Sequence, residues 1–386
     1  NQAQEAKSQT EFKSAEEKVK LAIMGARADD GQMTVDELKR EVGYQGGSVT
    51  GDAFPVQVQM DGHTFTVDAN GTVTSNGSGG DQPSGQGTLG TVIGTETTNT
   101  TVQDKLGNQV VVPAGFKVQN PHETVPDGIV IVDANKDRPT LGSEFVWIPV
   151  GTVNRIDGEQ VTINLGRYDF DSSGNVTDFT DTSFTEDTTA NHNSSYGNTI
   201  AKDIEAFKTS VERNNGYYIG RYEARTATKR TARGDALTQI TEKPGEYVYN
   251  YVTQPQAAQL SRSMYGDSNF TSDLVNSYAW DTAIVFLQEF DNRANTTIPY
   301  SMQTSLNTSF AEKGTNQLET KDVICNVYDV ASNIYEWTTE TYSAPAYPGV
   351  RRGGYYKHNG YNTSGRLNYY TTNGDADSSF RPLLYL

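Results

Sequence analysis

Apolar and polar positions change period along this chain, and each change predicts an element. Over residues 1–28, Phe12, Ala15, Val19, Ala22 and Ala26 recur at three- and four-residue steps on an otherwise charged surface. That stripe predicts one amphipathic helix, stopped by Asp29-Asp30-Gly31. Thr34-Val35-Asp36-Glu37 has the spacing of a capping box, and Val35, Leu38 and Val42 then give a short second helix. From Phe54 the period shortens to two. FPVQVQM alternates, Asp61-Gly62 supplies a tight turn, and HTFTVDANGTV continues to a second turn at Asn70-Gly71. Residues 1–74 therefore read as helix followed by a small antiparallel sheet.

Residues 75–90, SNGSGGDQPSGQGTLG, carry almost nothing to bury and read as a flexible linker. A β-rich lead-in follows over 91–143, with the runs QVVVPAGFKV and GIVIVD. EFVWIPV opens the largest region, 144–386. Residues 169–215 are polar, and apolar pattern returns at GYYIGRYEA, at the helix-like SYAWDTAIVFLQEF and at RPLLYL. Inside the polar stretch, DFDSSGNVTDFT resembles a calcium loop at Asp169, Asp171, Ser173 and Gly174. An EF-hand needs a bidentate acid at its twelfth position, which here is Thr180, and flanking helices. A Gly-containing hairpin is the better reading.

The 386 residues are enough for two or three domains, each with its own core. A net charge of −17 excludes a nucleic-acid surface, which needs clustered Lys and Arg. The single cysteine, Cys325, rules out an intrachain disulfide and sits in the apolar run VICNVYDV, so it reads as core and not as a nucleophile. His63, His122, His192 and His358 are scattered, none at metal-ligand spacing with another His or Cys. There is no phosphate-cradling glycine loop and no Gly-x-Ser-x-Gly elbow. No apolar run reaches the length of a membrane-spanning helix. The sequence begins at Asn1 and not Met, which predicts a leading segment removed.

One run is more specific. NVYDVASNIYEWTTE, residues 326–340, is followed by RRGGYY at 351–356. Together with FVWIPVG, GYYIGRYEA, YAWDTAIVFL and the closing SFRPLLYL, in that order over some 240 residues, it resembles the formylglycine-generating-enzyme and sulfatase-modifying-factor family. The resemblance implies an α+β chain ending in a C-type-lectin-like domain over 144–386. It also implies a calcium ion at the Asn-x-x-Glu turn, with Glu336 as side-chain ligand and Ala331, Ser332 and Ile334 as carbonyl donors. The alternative is that Glu336 hydrogen-bonds loop backbone without metal. The family's usual Gly is here Ser332. Its copper-holding cysteines, expected shortly after Arg-Gly-Gly, are absent from YYKHNGYNTSGRLNYY, so thiolate ligation of copper is impossible there and the chain is expected not to be an enzyme.

The N-terminal NQAQEAKSQTEFKSAEEKVKLAIMGA is similar to the region after the membrane helix of type IV pilin-like proteins of Gram-positive bacteria. That resemblance implies a cell-surface or pilus location, other pilin subunits as partners, and membrane contact only through an N-terminal apolar helix that this sequence lacks. Tyr355, Tyr356, His358, Asn359, Tyr361, Asn362, Asn368, Tyr369, Tyr370, Asn373 and Asp375 crowd one window whose Tyr-Asn-Ser-Gly composition is that of a paratope. Two readings stand: a surface for a host or microbial glycan or protein, or tyrosines that partly fill core under long polar loops. The same window resembles the variable region of retroelement-diversified lectin-like proteins. The expected function is a non-catalytic adhesin, and its alternative a structural filament subunit.

Overall fold

The chain divides after Thr91 into two units. A computed structural model describes residues 2–27, 32–75, 87–171, 173–186, 203–291, 322–355 and 363–386. The expected linker lies mostly outside them. Together the described residues make a mixed α+β protein, with two helices first and a β-rich body after.

In the first unit, helix α1 (Gln2–Ala26) and helix α2 (Val35–Tyr44) cover a four-stranded antiparallel sheet. The α1 stripe Ala15, Val19, Ala22, Ile23 and Ala26 is buried with Val56, Val58, Met60, Phe65 and Val67 of the sheet. Val56–Met60 alternates buried and exposed at every position, as a strand with one wet face must. The capping box forms: Glu37 N–H donates to the Thr34 hydroxyl at 3.2 Å and Thr34 N–H to the Glu37 carboxylate at 2.9 Å. Asp61 and Gly62 both take positive φ, 49° and 81°, which suits a primed two-residue hairpin turn.

The second unit rests on a six-stranded antiparallel sheet. Its order in space is Thr271–Leu274, Pro382–Tyr385, Gly216–Gly220, Glu144–Pro149, Val130–Asp133 and Phe116–Val118. Phe116–Val118 and Val130–Asp133 belong to the lead-in, so residues 91–143 share this sheet with the region expected to follow them. Both faces are covered, which is why GYYIG and EFVWIP are buried at every position and do not alternate. Helix α3 (Ile204–Asn214) sets Phe207 against Tyr217 and Tyr385 at ring distances of 5.4 and 5.7 Å. Helix α4 (Gln254–Arg262) starts on a capping box at Thr253, and helix α5 (Ser277–Phe290) on the Asn276 side chain.

A second, five-stranded sheet contains Phe184–Thr185, Tyr335–Tyr342, Gly349–Arg352 and Arg366–Tyr369, with Ser378–Phe380 pairing parallel to Tyr335–Tyr342. Ser378–Phe380 in this sheet and Pro382–Tyr385 in the first are separated by one residue, Arg381. The calcium-loop-like segment is a hairpin. Tyr168–Phe170 pairs with Val176–Asp178, and the Asp171 carboxylate accepts from Ser173 N–H at 2.8 Å and Asn175 N–H at 2.9 Å, closing its own turn.

Candidate functional site

The turn read from sequence is a strained, buried corner. Cys325, Asn326, Asp329 and Asn333 all take left-handed backbone angles, φ 47° to 68°, which non-glycine residues adopt at a cost of roughly 1–3 kcal/mol each. Side-chain hydrogen bonds hold them there. Asn326 donates to the Gly128 carbonyl at 2.8 Å and to Glu123 at 3.1 Å. A Cβ on Gly128 would lie 1.9 Å from the Cys325 carbonyl, so only glycine allows the two segments to close. Asn333 donates its amide to Glu223, which also accepts from Ile334 N–H at 3.2 Å. Ser332 donates to Asp322 and Asp329, and Ala331 N–H to Asp322 at 3.1 Å.

Glu336 is 1% exposed and both its oxygens accept from Arg381, at 2.7 Å from Nη2 and 3.1 Å from Nε. Arg381 also donates to the Gly220 carbonyl at 2.9 Å and the Tyr328 carbonyl at 2.8 Å, joining both sheets and the turn. Around this pair lie Glu223, Glu242, Asp322 and Asp329, all buried, with Arg225 the second guanidinium. Five carboxyls against two guanidiniums cannot all ionise in a dry interior. Burial holds the Glu223 and Glu242 carboxyls well above their usual range, and burial with neighbouring Asp322 pushes Asp329 up to about 7. Burial also raises Glu336, against the pull of Arg381. Burial and mutual repulsion thus favour the protonated form of Glu223, Glu242 and Asp329. The residue set fits calcium only in part: the guanidinium already engages both Glu336 oxygens, leaving carbonyls as the other donors. Among the described residues no group of three or more His, Cys, Asp or Glu side chains is arranged to hold a metal ion.

One strand away, the other motif builds an aromatic ladder. Tyr335, one position before Glu336, and Arg351, register partner of Trp337, project to the same side. The Arg351 guanidinium lies 4.4 Å from the Tyr335 ring centre, 3.8 Å from Tyr369 and 5.6 Å from Trp337. It donates to Ser378 at 2.8 Å and faces Asp377 at 3.5 Å. The outer face of Tyr335 stacks on Tyr355 at 4.7 Å and 26°. At the far end Tyr369 meets Tyr370 edge-on at 5.6 Å, and Tyr370 meets Tyr347 at 5.4 Å. The Tyr369 hydroxyl donates to Asp375 at 2.7 Å, burial and that bond raise its pKa, and Arg233 pairs with the same carboxylate.

Of the expected ligand-binding residues, Tyr355, Tyr369, Tyr370, Asn373 and Asp375 meet at or beside this ladder. Tyr356, His358, Asn359, Tyr361 and Asn362 lie outside the described residues. Asn368 is in a strand, between Leu367 and Tyr369. Alternation places it on the face of Arg366, which reaches Glu340 at 2.8 Å and also Asp281, so it points away from Tyr369. Sequence reasoning missed Tyr335, Tyr347, Arg351 and Arg233. Arg351 was visible in RRGG, and Tyr335 in the same run as Glu336, but only the strand register brings them together. No protein-family model matches this chain, and no curated protein matches it at a significant level.

Proposed function

We propose that residues 92–386 act as a non-catalytic binding module that takes its ligand at the open end of the tyrosine ladder. The observation that carries this is the ladder itself: seven aromatic or guanidinium plates converge, and Tyr347 and Tyr370 remain 39% and 45% exposed. A rigid aromatic row with amide and carboxylate groups at its edge is the make-up of a recognition surface. The sequence resemblance to formylglycine-generating-enzyme-type lectin-like domains, without the two cysteines, supports binding in place of oxidation. The pilin-like N-terminus supports display at a cell surface or on a pilus. Retroelement diversification of the 355–379 window is part of this proposal, and calcium at the 331–336 turn is carried with it.

The test is a glycan and host-protein array with the full chain, run with calcium and again with EDTA. Binding that falls when Tyr355 or Tyr370 becomes Ala, with the fold unchanged, supports the module; loss on chelation adds the metal, and insensitivity removes it. A second reading, a structural filament subunit, is favoured by Leu21 and Met24, which α1 leaves 49% and 39% exposed. It predicts assembly lost in Leu21→Ser with array binding unchanged.

A further inference from the structure

We propose that the strand Arg366–Tyr369 takes an extended segment of a partner protein along its outer edge, so that the partner adds a strand to the five-stranded sheet. This rests on the binding-module reading and names the chemistry of its ligand, a polypeptide backbone. Position comes first. Arg366–Tyr369 ends its sheet, and among the described residues it pairs only with Gly349–Arg352. Hydrogen bonds on that neighbour decide which backbone groups are left open. The Pro348 carbonyl accepts from Tyr342 N–H at 2.8 Å and the Val350 carbonyl from the Thr338 hydroxyl at 3.1 Å, so both face Tyr335–Tyr342. Backbone groups alternate in direction along a strand. Those of Gly349 and Arg351 therefore face the other way, toward their register partners Tyr369 and Leu367. The N–H and C=O of Arg366 and Asn368 are left pointing outward. Both residues are half-buried, and among the described residues no hydrogen bond reaches those outward groups.

Proteins commonly blunt a sheet edge with a charge, a proline, a bulge or a cover. At the opposite side of this sheet Arg167 donates to the Phe184 carbonyl at 3.1 Å, and at the edge of the six-stranded sheet Lys117 is bridged by Ile93. Arg366–Tyr369 has no such device. It contains no proline, its register with Gly349–Arg352 runs without a shift, and the Arg366 side chain turns its charge inward to Glu340 and Asp281. Outward donors and acceptors at strand spacing match one occupant, another extended backbone. A second copy of this chain would bring a further charge of −17 to the same edge, and like charge opposes that pairing. Register also shapes the partner. Its residues opposite Arg366 and Asn368 form the hydrogen-bonded pairs, and those opposite Leu367 and Tyr369 fall where side chains come closest. Leu367 and Tyr369 stand on the ladder face, and the exposed Tyr370 follows directly. The partner segment therefore alternates, apolar or aromatic toward the ladder and polar on the other face.

The experiment gives the full chain a capped peptide, Lys-Thr-Val-Thr-Tyr-Thr-Val-Lys, and two N-methylated copies, one blocked at its threonines and one at its Val and Tyr residues. Amide exchange is followed residue by residue. In the free chain the Leu367 and Tyr369 amides should exchange slowly and the Asn368 amide fast, and the peptide should slow Asn368 by about tenfold or more. The copy blocked at threonine, whose N–H groups meet Asn368 and Arg366, should bind about tenfold more weakly, and the other copy like the parent. Asn368→Pro removes only an outward N–H, so it should keep the melting temperature and lose the peptide. Leu367→Pro removes an inward one and should lower the melting temperature. A slow Asn368 amide in the free chain, equal binding of the two methylated copies, or a melting temperature lowered as far by Asn368→Pro as by Leu367→Pro overturns the inference. A glycan bound in place of the peptide, lost in Tyr370→Ala and kept in Asn368→Pro, also overturns it and leaves the binding module standing. Failure of the peptide and of every array ligand overturns module and inference together.

Discussion

The six-stranded and five-stranded sheets bury equally deep strands in different ways. Glu144–Pro149 is buried throughout and fills its space with Phe145, Val146, Trp147 and Ile148. Tyr335–Tyr342 is buried over its first seven residues, yet Glu336, Thr338, Thr339, Glu340 and Thr341 are among them. Buried polar side chains need partners, and Glu336 finds Arg381, Thr338 the Val350 carbonyl, Thr339 Glu186, and Glu340 Arg167 and Arg366. An apolar core is forgiving of shape within limits. A polar core is not, because a displaced group is left unsatisfied. The sheet that carries the tyrosine ladder is thus the one whose geometry is most tightly specified, which suits a surface that must present rings in fixed positions.

The largest effect should come from separating the two sheets at their shared residue. Arg381→Met leaves Glu336 buried beside four other acids, and we expect about 3–5 kcal/mol lost in urea unfolding. The double variant Arg381→Met with Glu336→Leu should recover much of it. A loss confined to less than 1 kcal/mol would show that the pair is peripheral to stability.

Next comes pH. Glu186 is half-buried, accepts from Ser277 N–H at 2.6 Å and from the Thr339 hydroxyl at 2.7 Å, and the loss of water around its carboxyl together with the Glu340 charge pushes it up to about 7 from 4.5. Its folded pKa is raised, so the folded state holds the proton more tightly. Stability contributed by this group is present below about 4.5 and lost as pH rises through about 7. Between pH 5 and 8 the change is about 2 kcal/mol for Glu186 alone, and Asp329 adds in the same direction. Glu186→Gln should flatten part of the slope of melting temperature against pH; a slope rising toward alkali in the native chain would contradict the assignment.

Smaller effects distinguish the ladder from the apolar sheet. Arg351→Gln removes the central plate, and should cost about 1–2 kcal/mol while weakening ligand binding; Arg351→Lys, keeping charge without a planar face, should restore stability more than binding. Ile148→Val in the apolar sheet should cost about 1 kcal/mol and leave binding unchanged. If the two substitutions affected binding alike, the division of labour between the sheets would fall.

Local rules in the sequence reached as far as local physics does. Helix α1, the Thr34 capping box, the Asp61-Gly62 turn, helix α5 and the hairpin at 168–178 all follow from period and turn chemistry, which act within a few residues. Partners forty or more residues apart do not. Glu336 was legible as a fixed acid, but the guanidinium that fixes it stands 45 positions away. The window 355–375 looked like continuous loop because Arg-Leu-Asn-Tyr has no alternating apolar face; in the sheet, buried charge takes that role, and Arg366 and Asn368 turn one way while Leu367 and Tyr369 turn the other. The lead-in looked separate because its strands pair with sequence neighbours first, and only the edge-to-edge order of the sheet shows that it is continuous with Glu144–Pro149.

The place of Pro382–Tyr385 bears on how the protein is made. It is the last-synthesised of the six strands, yet it lies between Thr271–Leu274 and Gly216–Gly220. Until it leaves the ribosome those two strands each present an unpaired edge, and Glu336 waits without its guanidinium. The six-stranded sheet therefore closes only after translation has passed Tyr385, however early its other five strands are made.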